Sequence, residues 1–333
     1  MDILVLGSIN VDVILRVARL PGPGETMLAT DLARLPGGKG ANQAVAAARM
    51  GARVAMAGGV GDDADGDWML DILAEEGIDL TGVRRIANQL TGMAMIAVDT
   101  AGENQIVVAP GANAAFVAAP APEQAAARVI LAQLEIPVET IAAMFASTSS
   151  LRILNAAPFV AAAVERLFAL SDILIVNQHE LADYVRLSNP NGQGEPLATD
   201  AEAIAIAARM WIVRPEQVVV VTLGAGGAVA VWADAHVHVP AIAVTPFDTV
   251  GAGDCFCGAL AALVAQGEDV AVAVSFANAA AALCTQATGA VPAMPLRAAV
   301  AAVLAAQPTE YAQPIKKAAG AGLHWLPVRG VTE

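Results

Sequence analysis

The segment Asp248-Thr249-Val250-Gly251-Ala252-Gly253-Asp254 places two glycines and an acidic side chain at the start of a predicted helix, Cys255–Ala265. Glycines let backbone N–H groups converge, and the free donors and dipole of a helix N-terminus attract anions. At this position Asp254 could accept the proton of a hydroxyl that attacks a phosphate. The amides of Gly251-Ala252-Gly253 would then stabilise charge on the transferred phosphoryl group. The alternative is an ordinary helix cap after a tight turn.

A second glycine-rich segment, Gly37-Gly38-Lys39-Gly40-Ala41-Asn42, leads into a predicted helix over Ala41–Met50. Its spacing is not that of a Walker A phosphate loop. Lys39 is the only lysine outside the C-terminal tail, which suggests a role for its charge. Asn42 offers both a donor and an acceptor, as binding of a sugar hydroxyl requires. A surface lysine in a turn is the alternative explanation.

Asn10 and Asp12 follow the first predicted strand, Ile3–Leu6. An amide and a carboxylate two residues apart could bind the two hydroxyls of a vicinal diol. A turn closed by Asx hydrogen bonds explains the same residues equally well. The segment is therefore a candidate sugar site that needs a second line of support.

Asn177 and Glu180 follow the predicted strand Ile173–Val176. A carboxylate at the carboxyl end of a strand could hold hydrated Mg²⁺, which proteins bind through few carboxylates together with phosphates and waters. The alternative is a helix N-terminus in which Asn177 is the cap and Glu180 completes a capping box. Both interpretations stay open at this point.

The elements that must position these residues alternate between strand and helix after residue 120. The apolar runs Val129–Leu134, Leu151–Leu154, Ile173–Val176 and Val218–Leu223 predict strands, separated by helical stretches such as Val160–Leu170 and Ala201–Trp211. This alternation predicts a doubly wound α/β domain with a mostly parallel sheet flanked by helices, whose ligands bind beyond the carboxyl ends of the strands. We expect this domain to span residues 1–307. Two early hairpins, within about 11–36 and 90–112, would form a small β-sheet lid, and residues 308–333 would be a C-terminal extension of unknown order.

Composition excludes several classes of protein. The chain of 333 residues is 56% hydrophobic and carries a net charge of −14, which disfavours binding to nucleic acid. Three cysteines cannot form a disulfide framework. Mean hydropathy is +0.58, but the longest charge-free run, Val270–Leu296, is rich in alanine and contains two prolines. We expect no membrane association, and an acidic residue at position 2 argues against a signal peptide, so we expect a cytoplasmic enzyme.

Two of these segments together carry a family resemblance. Gly-Gly-Lys-Gly-Ala-Asn-Gln-Ala early in the chain and Asp-Thr-Val-Gly-Ala-Gly-Asp late in it resemble the two signatures of the ribokinase-like carbohydrate kinases, the phosphofructokinase B type. The similarity runs from Ile3 to about Ala306. It implies an α/β domain with a β-sheet lid that also forms a homodimer contact. It further implies ATP-dependent phosphorylation of D-ribose at O5, giving D-ribose 5-phosphate.

The resemblance also implies roles for individual residues. Asp254 would be the catalytic base beside an anion hole at Gly251, Ala252 and Gly253. The residues implied in sugar binding are Asn10, Val11, Asp12, Gly38, Lys39, Gly40, Ala41, Asn42 and Glu135, together with Asp254. The residues implied around the nucleotide are Asn177, Thr222, Leu223, Gly224, Ala225, Gly226, Gly227, Gly253 and Asn278.

Two cations are implied by the same resemblance. Glu180 would be linked to Mg²⁺ through water. A monovalent cation, usually K⁺, would be held largely by backbone carbonyls at Asp248, Val250, Cys284, Ala287 and Gly289. The chain has Ala293 where this family commonly offers a serine oxygen. We therefore expect a K⁺ site that is weakened or completed by water.

Two other functions stay open. One is a kinase of the same family that acts on another pentose, a deoxypentose or a nucleoside. The polar set Asn10, Asp12, Lys39, Asn42 and Glu135 favours a small polyhydroxylated sugar over a nucleoside. The other is a non-catalytic regulator that binds sugar on the same fold, against which the intact Asp254 and its glycines argue.

Overall fold

The computed structural model describes residues 1–118, 126–188 and 200–307, so the predicted extension 308–333 lies outside the described residues. The strands are β1 (Ile3–Leu6), β2 (Asn10–Arg16), β3 (Asp31–Gly37), β4 (Val54–Val60), β5 (Asp79–Arg85), β6 (Gly92–Val98), β7 (Asn104–Ala109), β8 (Val129–Gln133), β9 (Leu151–Asn155), β10 (Ile173–Asn177), β11 (Val218–Thr222), β12 (Ala228–Val231) and β13 (His236–Val239). The α-helices are α1 (Lys39–Arg49), α2 (Ala64–Glu75), α3 (Val138–Ser147), α4 (Gln178–Ser188), α5 (Ala201–Arg209), α6 (Ala252–Ala265), α7 (Val270–Cys284) and α8 (Arg297–Ala305).

The central sheet has nine strands in the order β13-β12-β11-β10-β9-β8-β1-β4-β5. From β5 to β11 every neighbouring pair is parallel, and β12 and β13 add an antiparallel edge. β1, β4 and β8 are buried along their whole length, as expected for strands covered on both faces. The predicted doubly wound α/β domain is therefore confirmed. The chain leaves β1 for β4 on one side and returns to β8 on the other, which makes the β1–β8 boundary the switch point of the sheet.

A separate sheet of four strands, in the order β3-β2-β6-β7, stands beside the central one. β2–β3 and β6–β7 pair antiparallel, as the two predicted hairpins require. The hairpins are joined by parallel pairing of β2 with β6, where Asn10 lies opposite Gly92 and Asp12 opposite Ala94. The predicted lid thus exists as a continuous sheet. Its strands lie within residues 10–37 and 92–109.

Helices cover both faces of the central sheet. Ile3 and Val5 of β1 pack on the side of α1, α6 and α7, whereas Leu4 and Leu6 pack on the side of α3, α4 and α5. Small residues let the helices approach closely: a side chain at Gly258 of α6 would collide with the carbonyl oxygen of Gln43 on α1. The alanine-rich composition is therefore explained by tight helix packing. Among the described residues, no helix has both the length and the apolarity needed to cross a bilayer.

Two predicted helices differ from those observed. α6 begins at Ala252 rather than Cys255, so Asp254 lies inside the first turn and Gly251 is the cap residue. The predicted helix Val160–Leu170 contains an irregular π-helical turn over Val164–Phe168. The sequence pattern thus identified α6 correctly but not its first residue, whereas the predicted helix Val160–Leu170 was wrong as an α-helix, since its only regular element is this π-helical turn.

Candidate active site

The carboxyl ends of five neighbouring strands deliver the polar residues of the site. β1, β8, β9, β10 and β11 are parallel and adjacent, so the residues that follow them meet at one edge of the sheet. Ser8 follows β1, Glu135 follows β8, and Asn155, Asn177 and Thr222 end β9, β10 and β11. This edge is where ligands bind in open α/β sheets.

Asp254 is almost fully buried in the first turn of α6, with 9% of its surface exposed. Its Oδ2 accepts a hydrogen bond from Asn42 Nδ2 at 2.9 Å, and its Oδ1 accepts one from Gln43 Nε2 at 2.9 Å. Burial raises the pKa of the Asp254 carboxyl, while the charge of Lys39 and these two hydrogen bonds act in the opposite direction. A carboxylate in this state is a stronger base than an exposed one and is held by donors on both oxygens.

The backbone before Asp254 is shaped by two glycines with different constraints. Gly251 has a φ of 76°, and a Cβ there would lie 2.5 Å from Cβ of Ala290. At Gly253 a Cβ would meet no heavy atom within 4 Å, so this side of the turn faces open space. The first N–H groups of a helix have no partner within the helix. The predicted anion hole therefore opens onto the cavity described below.

Lys39 and Glu135 meet across the switch point between β1 and β8. Lys39 Nζ lies 3.8 Å from Glu135 Oε1, and the backbone N–H of Lys39 donates to Glu135 Oε2 at 3.1 Å. Ser8 Oγ donates to the same oxygen at 2.6 Å and accepts from the N–H of Gly40 at 3.3 Å. Burial lowers the pKa of Lys39, but the charges of Asp254 and Glu135 outweigh it and the pKa is raised. Ser8 was not predicted as part of the site.

Asn10 and Asp12 project from the lid toward the same region. Burial, followed by the charges of Glu135 and Asp254, raises the pKa of Asp12 to about 6. Asn10 Oδ1 accepts from Asn113 Nδ2 at 2.7 Å, so the oxygen of this amide is already engaged within the protein. Asn113 also binds both backbone groups of Ile9. Sequence reasoning missed Asn113 because no local pattern links it to a strand 103 positions earlier.

A cavity of about 140 Å³ adjoins these residues on the side of β9, β10 and β11. Its wall includes Lys39, Asp254 and Gly253 together with Asn177, Glu180 and Thr222. The cavity therefore connects the predicted base and anion hole with three residues implied in nucleotide or Mg²⁺ binding. Burial raises the pKa of the Glu180 carboxyl.

Asn177 and Glu180 form the capping box that the sequence left as an alternative. The N–H of Asn177 donates to Glu180 Oε2 at 2.8 Å, and the N–H of Glu180 donates to Asn177 Oδ1 at 2.8 Å. The capping role of both residues is therefore established, whereas their ligand roles stay predictions.

The loop Thr222–Gly227 forms a single 3₁₀ turn over Gly224–Gly226 after β11. Gly224, Ala225 and Gly226 are exposed. Asn278 is buried and donates from Nδ2 to the carbonyl oxygens of Val239 and Pro240, at 3.0 and 3.3 Å. The amide nitrogen of Asn278 thus binds the end of β13, a structural role that the sequence did not predict.

The two loops implied in monovalent-cation binding lie side by side. Asp248 accepts from the N–H of Val250 at 3.0 Å through one oxygen and from the N–H of Gly289 at 2.8 Å through the other. The carbonyl oxygen of Thr285 accepts from the N–H groups of Phe247 and Asp248. Cys284 is buried and Ala287 is exposed. The structure thus brings the two loops together through hydrogen bonds of Asp248 and Thr285.

Gln43 and Asn155 are the other contributors that sequence reasoning missed. Gln43 Nε2 donates to Asn155 Oδ1 at 3.0 Å as well as to Asp254, and both Gln43 and Asn155 are buried. Gln43 stands inside the early glycine-rich signature, directly after Asn42, so its place in that segment was the available signal. Asn155 ends β9, and only the strand order shows that it meets α1.

Comparison with known proteins agrees with this architecture. The pfkB family of carbohydrate kinases matches residues 1–297. The chain is 35% identical to a ribokinase of Schizosaccharomyces pombe, over 88% of this chain and 95% of that protein. It is 34% identical to a deoxyribokinase of Salmonella typhi, over 82% and 89% of the two chains. The structure of Arabidopsis thaliana ribokinase complexed with ribose and ATP superposes with a TM-score of 0.79 and 31% identity, covering 91% of this chain and 98% of that one. The chain therefore belongs to the pfkB family of carbohydrate kinases, enzymes that transfer a phosphoryl group to a sugar hydroxyl.

Proposed function

We propose that this protein is a ribokinase that uses ATP to phosphorylate D-ribose at O5, with Asp254 as the general base. The observation that carries the proposal is the position of Asp254 between two sets of groups. On one side lie the polar residues of the lid and the switch point, and on the other the cavity wall with Gly253 and Thr222. The similarity to a ribokinase complexed with ribose and ATP supports the same assignment.

The sugar end of the site offers groups suited to hydroxyls. Asn42 Nδ2 binds Asp254, and among the described residues no donor reaches the buried Asn42 Oδ1. Burial of an unpaired acceptor costs about 1–3 kcal/mol, so a sugar hydroxyl that reached Asn42 Oδ1 on binding would remove that cost. Asp12 and Glu135 add acceptors, and Lys39 and Asn10 add donors. The remaining implied residues, Val11, Gly38, Gly40 and Ala41, form the backbone around them.

Proton transfer follows from the state of Asp254. The O5 hydroxyl would donate its proton to the Asp254 carboxylate as the oxygen attacks the terminal phosphorus of ATP, and the bond from that phosphorus to the bridging oxygen would break to release ADP. The raised pKa of this carboxyl makes it a more effective acceptor near neutral pH. The backbone amides of Gly251-Ala252-Gly253 and the charge of Lys39 would stabilise the negative charge on the transferred group.

Two cations fit residues of the chain. The Glu180 carboxylate on the cavity wall would hold Mg²⁺ through water, and the carbonyl groups around Asp248, Val250, Cys284, Ala287 and Gly289 would hold K⁺. When bound, these ions neutralise phosphate charge beside the anion hole. Ala293 is buried and supplies no side-chain oxygen, which supports a weakened or water-completed K⁺ site.

A deoxypentose is the second candidate substrate, because a deoxyribokinase is among the similar proteins at 34% identity. A nucleoside and a non-catalytic regulator have less support, since the lid contributes Asn10 and Asp12 rather than an aromatic platform. The deciding experiment measures ADP formation with ribose, other pentoses, deoxyribose and nucleosides. Preference for deoxyribose or a nucleoside would overturn ribose, and no turnover with any of them would overturn the enzyme.

Asp254→Asn is the control for the mechanism. Losing a general base should lower kcat by at least about 10²-fold while the protein stays folded. If Asp254→Asn kept most of the activity, the proposed base would be wrong even if ribose were the substrate.

We also propose that the four-stranded sheet forms a homodimer contact with a second copy of the chain. β6 and β7 expose Met95, Ile106 and Val107, with 51%, 54% and 69% of their surfaces accessible. Val107→Lys should weaken the dimer in analytical ultracentrifugation, whereas Val213→Lys, also an exposed valine but beyond α5, should not. Equal sedimentation of the two variants and the wild type as monomers would refute the contact.

A further inference from the structure

Three buried amides form a hydrogen-bonded chain that ends on Asp254. Gln133 Nε2 donates to Gln43 Oε1 at 2.7 Å, and Gln43 Nε2 donates to Asp254 Oδ1 at 2.9 Å and to Asn155 Oδ1 at 3.0 Å. We propose that Gln43 is a positioning residue that holds the Asp254 carboxylate in its proton-accepting form and fixes its orientation toward the sugar hydroxyl. The inference rests on the proposed role of Asp254 as the base.

The direction of the hydrogen bonds in this chain is fixed at its Asn155 end, since Gln133 Oε1 has no hydrogen-bond partner among the described residues. Asn155 Nδ2 donates to the carbonyl oxygen of Ile175 at 3.3 Å, so Asn155 presents its oxygen to Gln43. Gln133 presents its nitrogen to Gln43 on the other side. Rotating the Gln43 amide by half a turn would set its oxygen against the oxygens of Asn155 and Asp254. The Gln43 amide therefore has one orientation, and in that orientation it can only donate to Asp254.

An ionised carboxylate accepts hydrogen bonds and cannot donate them. Asn42 supplies one donor to Oδ2 and Gln43 supplies one to Oδ1, so each oxygen keeps lone-pair capacity for a substrate hydroxyl. If Asp254 were protonated, its own O–H would be a hydrogen-bond donor in a place where the amide groups of Asn42 and Gln43 already donate. The arrangement thus favours the base form in an interior that otherwise disfavours charge.

Close packing makes this arrangement rigid. Gln43 and Gln133 are fully buried, at 0% exposure. A side chain at Gly258, one turn after Asp254, would collide with the backbone oxygen of Gln43, and a side chain at Gly7 would collide with Gln133 Oε1. The helices α1 and α6 therefore approach closely because residue 258 is a glycine, and Gly7 leaves the space that the Gln133 side chain occupies.

Other ionisable groups also face Asp254. They are Lys39 on α1, Asp12 on β2, Glu135 after β8, Glu180 on α4, Cys255 and Cys257 on α6 and Cys284 at the end of α7. None of them is altered by a substitution at Gln43. A change in the pH dependence of kcat in a Gln43 variant would therefore result from loss of the hydrogen bond that Gln43 donates to Asp254.

The test compares Gln43→Met with the wild type in kcat and KM for ribose from pH 5.5 to 9. Methionine has a similar volume and removes the donor. A hydrogen bond to a charged group contributes about 1.5–3 kcal/mol, so we expect kcat at neutral pH to fall about 10- to 100-fold. The acidic limb of the kcat profile should move to higher pH, while KM for ribose should change less than about threefold because Gln43 is fully buried behind Asp254.

Gln217→Met is the matched control. Gln217 is also a buried glutamine, and its amide donates to the carbonyl oxygens of Phe168 and Ser171, away from Asp254. This variant should lose stability without any movement of the pH profile. If Gln43→Met did not fold, Gln133→Met would decide, since it releases the Gln43 amide and should move the acidic limb in the same direction by less.

Two outcomes separate this inference from the proposed function. If Asp254→Asn abolishes turnover while Gln43→Met, or Gln133→Met in its place, leaves kcat and the acidic limb unchanged, Gln43 has no positioning role. If Asp254→Asn retains activity, the proposed base itself is wrong. A Gln43→Met variant that lowers stability alone, as Gln217→Met should, would also overturn the inference.

Discussion

Asp12→Asn should stabilise the folded protein by an amount that grows with pH. Asp12 lies on β2, and its burial beside Glu135 and Asp254 raises the pKa of its carboxyl from 3.8 to about 6. A carboxyl with a raised folded-state pKa binds protons more tightly in the folded state than in the unfolded state. Its ionisation therefore costs stability as pH rises from about 4 to about 6. Asparagine stays neutral and has nearly the same shape, so the variant lacks this cost.

The size of the effect follows from the two pKa values of Asp12. A shift from 3.8 to about 6 corresponds to about 3 kcal/mol when both states are ionised. At pH 5 the unfolded carboxyl is already largely ionised, so about 1.6 kcal/mol of the cost is present there. Between pH 5 and pH 8 the variant should therefore gain about 1.4 kcal/mol of unfolding free energy relative to the wild type.

Urea denaturation of both proteins from pH 5 to pH 8 measures this gain directly. Asp71→Asn is the control, because Asp71 is exposed on α2 and its removal changes the net charge equally. A difference between Asp12→Asn and the wild type that stays constant with pH, or that decreases, would refute the electrostatic explanation. The same variant should raise KM for ribose, since the carboxylate is also a proposed sugar ligand.

Four further predictions concern the phosphate side of the site. Gly251→Ala should destabilise the fold by more than about 1 kcal/mol, because the residue has a φ of 76° and contacts Ala290. Gly253→Ala should fold normally and lose activity, since its methyl group would enter the cavity. If denaturation showed Gly253→Ala to be the less stable variant and rate assays showed Gly251→Ala to be the less active one, the roles given to these two glycines would be wrong. Titration with KCl against NaCl should show weak activation of the wild type by K⁺. In Ala293→Ser a lower KCl concentration should give half-maximal activation. Full activation of the wild type at ordinary affinity would count against a weakened site. Finally, the net charge of −14 predicts little electrostatic steering of the nucleotide. The association rate constant of the nucleotide, measured by stopped flow, should therefore change little up to ~0.2 M salt. A steep fall in this rate constant would reveal a positive patch.

Local patterns in the sequence were sufficient to predict most of the strands and helices and to identify the two glycine-rich segments. Buried strands such as β1 and β8 are short apolar runs, and the two glycine-rich segments stand directly before α1 and α6. Glycines and helix starts are encoded within a few residues, because steric freedom and capping are local properties. The α/β class and the two hairpins followed from the same local signals.

The contacts that make a site of these residues depend on the tertiary structure. Asp254 meets Gln43 across 211 positions, and Asn10 meets Asn113 across 103. Neither pair has a spacing or period that sequence could reveal. Asp254 meets Gln43 because Gly258 lets α6 approach α1, and Asn10 meets Asn113 beside Gly92, which lies opposite Asn10 in the β2–β6 pair.

The sequence by itself thus determined that a helix start carries an acid behind two glycines and that a single lysine lies in a second glycine loop. Only the tertiary structure decided that this acid is buried, bound by amides on both oxygens and surrounded by Lys39, Glu135 and Asp12. The physical reason is that burial and charge proximity are set by strand order and helix packing. A pKa therefore belongs to the folded molecule and not to the residue type.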